Sequence, residues 1–177
     1  MNSTIVINQN FFIKLQTIIV CLIPAALVSG PFLSDLFCII SSIIFIFLSL
    51  REEKYKYYLN FPFISFIIFC TYLIITSISS ANPILSLESS LFYFRFGFFV
   101  LSIWYLLDYN KEFIKYFAFS LIVTLFTVMI DGYIQYFTGH NLLGYAYNGT
   151  RVSGFFGEEL KLGMYLAHFM PIFFGII

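Results

Sequence analysis

The sequence predicts an all-α fold: a polytopic transmembrane helix bundle of about six spans, forming a single transmembrane domain over residues 1–177. Three observations carry this. First, 60% of residues are hydrophobic and only 10% charged, where a soluble domain carries roughly 25% charged residues. The mean hydropathy is correspondingly high, at +0.93. Second, apolar runs of bilayer length, about 20 residues each, recur along the chain. Third, none of them alternates between turn signals as strands do, and an open sheet cannot face lipid.

The runs fall at 12–29, 32–50, 61–80, 90–107, 113–137 and 161–177. The first could be a signal peptide, since "AALVSG" offers small residues for cleavage. Its leading segment has one basic residue, Lys14, and five further spans follow, so an uncleaved helix is expected, with a kink at Pro24. The linker "REEKYKYYLN" carries Arg51, Lys54 and Lys56, and "DYNKEFIK" carries Lys111 and Lys115. The alternate linkers "GPFLSD" and "ANPILSLESS" carry no Lys or Arg. The positive-inside rule then puts the N-terminus in the cytoplasm, and the C-terminus too if the sixth run spans. Tyr55, Tyr57, Tyr58, Trp104, Tyr105 and Tyr109 fall at the expected inner boundary, and Tyr133 and Tyr136 at the outer one, as an aromatic belt would. Residues 138–160 become a loop on the outer side.

Net charge is zero and no basic cluster exists, which argues against nucleic acid as a partner. Cys21, Cys38 and Cys70 lie inside apolar runs without metal or redox spacing and read as small buried hydrophobes. With two histidines, His140 and His168, a zinc site is not expected, and no nucleotide fingerprint is present. No cofactor is expected. His168 reads as a buried hydrogen-bonded residue or as polar glue between helices. N-x-T/S matches at Asn2 and Asn148 matter only in a glycosylating pathway. "TGH" at 138–140 and Ser153 before Gly154 are weak hydrolase echoes that lack the accompanying elements.

The remaining charges need a reason. Arg95 sits about two turns, roughly 10 Å, into the fourth run. Arg at a helix centre costs about 2.5–3.5 kcal/mol on insertion scales. It either snorkels or pairs, with Glu88 or Asp131, or it lines an outward cavity and meets a phosphate with its planar fork. Asp131 and Gln135, four residues apart, share a helix face. They are either hydrated at the interface or bound the same cavity. The segment "GTRVSGFFGEELKLGMYLA", 149–167, gathers Arg151, Glu158, Glu159 and Lys161 with Gly149, Gly154, Gly157 and Gly163. It is too irregular for a spanning helix and reads as a re-entrant or interfacial segment held by protein. Arg151 and Lys161 violate the positive-inside preference, which favours an anionic ligand there. Glu158 and Glu159 are expected to open the sixth helix, where acids suit the dipole. Arg151 plus free N–H groups before that helix would make a pyrophosphate cradle, and the glutamates would orient Arg151 or Lys161 or accept a hydroxyl proton.

The stretch "YIQYFTGHNLLGYAYNGTRVSGFFGEELKLGMYLAHFMPI" resembles the segment of bacterial O-antigen ligases and O-antigen polymerases that follows their early helices. The matching elements are an aromatic-Gln-aromatic helix end (Tyr133 to Phe137), a Gly-x-Asn-Leu-Leu-Gly turn (Gly139 to Gly144), Arg-x-x-Gly-x-Phe-Gly (Arg151 to Gly157) and Leu-Gly-x-Tyr-Leu (Leu162 to Leu166). The resemblance implies a GT-C-like, metal-independent inverting glycosyltransferase of polysaccharide or lipopolysaccharide biosynthesis in the bacterial inner membrane. Such an enzyme moves a glycan from undecaprenyl diphosphate to a sugar acceptor, lipid A core or another lipid-linked repeat, at the periplasmic face. It makes Arg151 the donor-phosphate residue, with Gly154 and Gly157 shaping its loop and Glu159 and Lys161 beside it. Arg95 is a second arginine by location. Glu158 and Glu159 depart from the Asn-Pro-Asn-like residues of many members. The family continues through further helices and a large catalytic loop, so the chain is expected to be an N-terminal part, inactive alone. The alternative is a small non-enzymatic membrane subunit, or a transporter piece, that binds an anionic solute or a partner.

Overall fold

The computed structural model describes residues 3–176, with side chains from Gln9 onward. The sequon at Asn2 lies outside the described residues. The fold is all-α: α1 (Ser3–Ser29), α2 (Pro31–Arg51), α3 (Phe61–Ile78), α4 (Pro83–Phe92), α5 (Phe94–Tyr109), α6 (Phe113–Thr138) and α7 (Leu162–Ile176). No strand forms among the described residues; one isolated bridge joins His140 to Ala146. Five segments are long and apolar enough to cross a membrane: Gln9–Ser29, Pro31–Arg51, Phe61–Ile78, Pro83–Tyr109 and Phe113–Thr138. The sixth run gives a 15-residue helix, about 22 Å at 1.5 Å per residue, against a hydrocarbon core of about 30 Å.

The fourth run differs most from its expectation. It is helical from Pro83 rather than from residue 90, so the linker "ANPILSLESS" holds most of α4. Pro83 starts the helix because its fixed φ suits the first turn and its missing N–H is not needed there. The run is interrupted at Tyr93, where Tyr93 N–H donates to Ser90 O (3.3 Å) and Phe96 N–H to Tyr93 O (3.0 Å). These tighter i to i+3 bonds mark a local 3₁₀ turn.

The chain divides into two compact units. The first holds residues up to Thr17 together with Phe37–Lys111. A polar thread crosses its apolar helices: Gln16 Nε2 donates to Ser41 O (3.1 Å), and the Ser41 and Ser102 hydroxyls pair at 3.0 Å. Such bonds glue helices where burial alone gives no drive. At the Arg51 end, Phe45, Tyr57 and Tyr105 pack edge to face and are fully buried. These two tyrosines are therefore core rather than belt residues, because a second aromatic layer covers them. Asn60 caps α3 by accepting from Phe63 N–H at 2.8 Å.

The second unit holds Ile18–Leu36 and Glu112–Ile177. Its core is Leu121, Leu125 and Val128 of α6 against Tyr165 of α7, with Leu27, Phe156 and Phe169 packed around it. The Tyr165 hydroxyl, buried in this core, donates to Pro24 O at 2.7 Å and ties α7 to α1. Tyr133 and Tyr136 point outward at the end of α6.

Candidate functional site

The loop 139–161 is built on the last turns of α6. Asp131 and Gln135 share a face there, as their spacing requires, and both are fully buried. They face the loop. Asp131 Oδ1 accepts from Leu142 N–H at 2.9 Å, and its Oδ2 accepts from the Asn141 amide at 3.4 Å. Gln135 Oε1 accepts from Ser153 N–H (2.9 Å) and Gly154 N–H (2.7 Å), while Nε2 donates to Ser153 Oγ (3.0 Å) and Tyr145 O (3.2 Å). Asn141 links the two limbs: its amide donates to Gly154 O at 2.6 Å, and its Oδ1 accepts from Leu143 and Tyr145 N–H. Each bond nets about 0.5–1.5 kcal/mol, and stranding one buried partner costs about 1–3. The reading of Asp131 and Gln135 as hydrated interfacial groups is thus replaced by a buried clamp on backbone.

Between the clamped limbs the chain turns outward. Asn148 Oδ1 accepts from Thr150 N–H (3.1 Å) and Arg151 N–H (3.2 Å), forming an Asx-type turn directly before Arg151. The Arg151 guanidinium is exposed and makes no ion pair or hydrogen bond among the described residues. It lines a pocket of about 310 Å³ together with Tyr145, Ser153, Gly157 and Glu158. Gly154 is buried in the left-handed region (φ +56°), where a Cβ would stand 3.3 Å from Asp131 Oδ2. Gly157 has φ +66°, and a Cβ there would sit 3.2 Å from the Tyr145 ring. Both conformations favour glycine, and a Cβ would crowd its neighbour at each position.

Glu158 and Glu159 do not open the last helix. Tyr165 N–H returns to Lys161 O, so Lys161 is the cap and α7 begins at Leu162. No capping side chain marks this start, and the acids sit in the preceding turn. Glu159 instead pairs with Lys161 at 2.6 Å, both more than half exposed. Free N–H groups beside Arg151 were expected for an anion cradle; of the nearby amides, those of Ser153 and Gly154 are taken by Gln135.

A larger cleft of about 920 Å³ adjoins the Arg151 pocket, sharing Tyr145, Gly157 and Glu158 as its wall. Leu27, Val28, Phe156, Met164 and Phe169 make its apolar sides, and Glu159, Lys161 and His168 stand on its rim. His168 is exposed rather than buried, with Nδ1 2.7 Å from Met164 O.

No family model, curated protein or solved structure matches this chain.

The expected site residues therefore sort into four places. Arg151 and Gly157 meet in the small pocket; Gly157, Glu159 and Lys161 line the large cleft; Gly154 lines neither and is a buried backbone anchor. Arg95 belongs to the first unit, where it lines a separate hollow with Glu88, Phe92 and Tyr93, its guanidinium 4.8 Å from the Phe96 ring. Asn141 was not legible as a site residue. Its signal was present: Asn before Leu-Leu-Gly can bond its own backbone two residues on, as it does with Leu143 N–H.

Proposed function

We propose that loop 139–161 binds the diphosphate of an undecaprenyl-linked glycan at the periplasmic face of the bacterial inner membrane. The chain is then the donor-binding part of a glycosyltransferase resembling O-antigen ligases and polymerases. One observation carries the reading: an exposed arginine without a carboxylate partner among the described residues, on a loop anchored through its backbone, beside an apolar cleft. A guanidinium fork suits paired phosphate oxygens. The cleft of about 920 Å³ suits the first isoprene units of a lipid carrier, being within the usual size of ligand pockets and mostly apolar. Glu158, in the same pocket as Arg151, is the carboxylate available to accept hydrogen bonds from sugar hydroxyls.

The test is titration of farnesyl diphosphate into the chain in nanodiscs. Arg151→Ala should weaken binding about tenfold or more, and Arg151→Lys by a smaller but clear margin, because charge-assisted bonds contribute roughly 1.5–3 kcal/mol. Equal affinity in all three proteins would refute the reading. Inorganic pyrophosphate competing as tightly as farnesyl diphosphate would favour the other class, a membrane subunit that binds a soluble anion.

A further inference from the structure

We infer that Gln135 is the positioning residue of the Arg151 loop: its buried carboxamide sets where the guanidinium is presented. The functional half of this inference rests on the diphosphate reading above; the structural half does not. Gln135 is fully buried near the end of α6, and all of its hydrogen-bonding groups are directed at the loop. Two of its four bonds go to successive amides, Ser153 and Gly154, immediately after Arg151 and Val152. A third reaches Tyr145 O, on the wall of the Arg151 pocket. One side chain thus ties the segment that carries the arginine to the backbone of a residue that lines its pocket.

Among the described residues, Gln135 is the buried hold on the backbone that follows Arg151. The arginine side chain has no hydrogen-bonding partner there, and its backbone is held on the other side only by the exposed Asn148 turn. Asp131 holds the opposite limb at Leu142 and reaches residue 154 only through Asn141. Leucine at 135 would fill similar volume while supplying neither acceptor nor donor, so the two amides would lose their partner and the Tyr145 carbonyl would keep only its bond from Asn141 N–H.

Hydrogen exchange in nanodiscs reads the clamp without any ligand. In the parent chain the 153 and 154 amides should be protected; in Gln135→Leu they should exchange at least about tenfold faster, as loss of roughly 1.4 kcal/mol of local bonding implies. The amides of the α6 interior should be unchanged. Gln135→Asn, one methylene shorter, withdraws the oxygen while keeping the face polar, and serves if the leucine variant does not accumulate. Farnesyl diphosphate then reads the link to Arg151 by a double-mutant cycle. Gln135→Leu should weaken binding about tenfold in the parent and add no loss to Arg151→Ala, since a residue acting through Arg151 has nothing left to position. Unchanged exchange at 153 and 154 in both variants would overturn the clamp, and additive losses in the cycle would overturn the positioning role. If Arg151→Ala leaves binding intact, the diphosphate reading fails with it, and the exchange result alone decides the clamp.

Discussion

The linker between α2 and α3 and the loop between α6 and α7 are both irregular, aromatic and charged, yet they are held in opposite ways. In the linker the side chains are engaged. Lys56 Nζ and the Tyr57 hydroxyl both reach Asp108 Oδ2, at 3.0 and 2.7 Å; the Tyr58 and Ser49 hydroxyls bond each other; Lys54 lies over the Tyr109 ring. In the loop it is the backbone that is engaged, by Asp131, Gln135 and Asn141, and the Arg151 side chain is left outward. A linker whose charged groups find partners within its own unit is accounted for by structure. A loop fixed through its amides, with Glu159 and Lys161 paired to each other, keeps Arg151 for something else.

The comparison breaks most readily at Gly154. Gly154→Val should cost about 2 kcal/mol or more, since a left-handed β-branched residue costs roughly 1–2 and its Cβ would crowd the Asp131 carboxylate. Thermal unfolding in nanodiscs measures this, with farnesyl diphosphate binding lost alongside. A variant as stable as the parent would mean that the loop does not need its clamped path.

On the linker side the expected effect is smaller. Tyr57→Phe removes one bond to a partly exposed carboxylate, worth about 1 kcal/mol after solvent screening, and should leave diphosphate binding untouched. It also carries a pH signature. Burial, and then the hydrogen bond and charge of Asp108, hold the Tyr57 phenol well above its ordinary value, which is about 10. A raised folded value means that its stabilising contribution is complete below about pH 10 and is lost as pH climbs toward that raised value. The stability gap between the parent and Tyr57→Phe should therefore be full at pH 8 and narrower at pH 11, read by denaturant unfolding. A gap that does not narrow would remove Tyr57 from the alkaline response.

Much of the architecture was legible because hydropathy alone identifies helices that must satisfy their backbone internally. Four of the five spanning segments end within a few residues of the expected bounds; the fourth does not, because Ser86, Glu88, Ser89 and Ser90 made α4 look like a linker. Side-chain direction was the harder part. The spacing of Asp131 and Gln135 put them on one face, but nothing in the spacing says whether that face meets water, a charge or the chain's own loop. The buried tyrosines 57 and 105 looked like belt residues for the same reason. The start of α7 was misplaced because Glu158 and Glu159 suit a helix N-terminus, while Lys161, the residue that caps it, does not. The glycines were readable as conformational needs, and at 154 and 157 the positive φ values are what such a reading requires.

The positive-inside pattern of the sequence predicts opposite faces of the membrane for the linker and the loop. The direct measurement is cysteine labelling in intact cells with a membrane-impermeant maleimide, using two exposed positions, Tyr55→Cys and Thr150→Cys, with Cys21, Cys38 and Cys70 replaced by Ala. Thr150 is exposed, whereas a thiol at the neighbouring buried position 153 would react slowly from either side. Thr150→Cys should react from outside, and Tyr55→Cys only after permeabilisation. Thr150→Cys reacting only after permeabilisation would place Arg151 away from any periplasmic diphosphate and contradict the account.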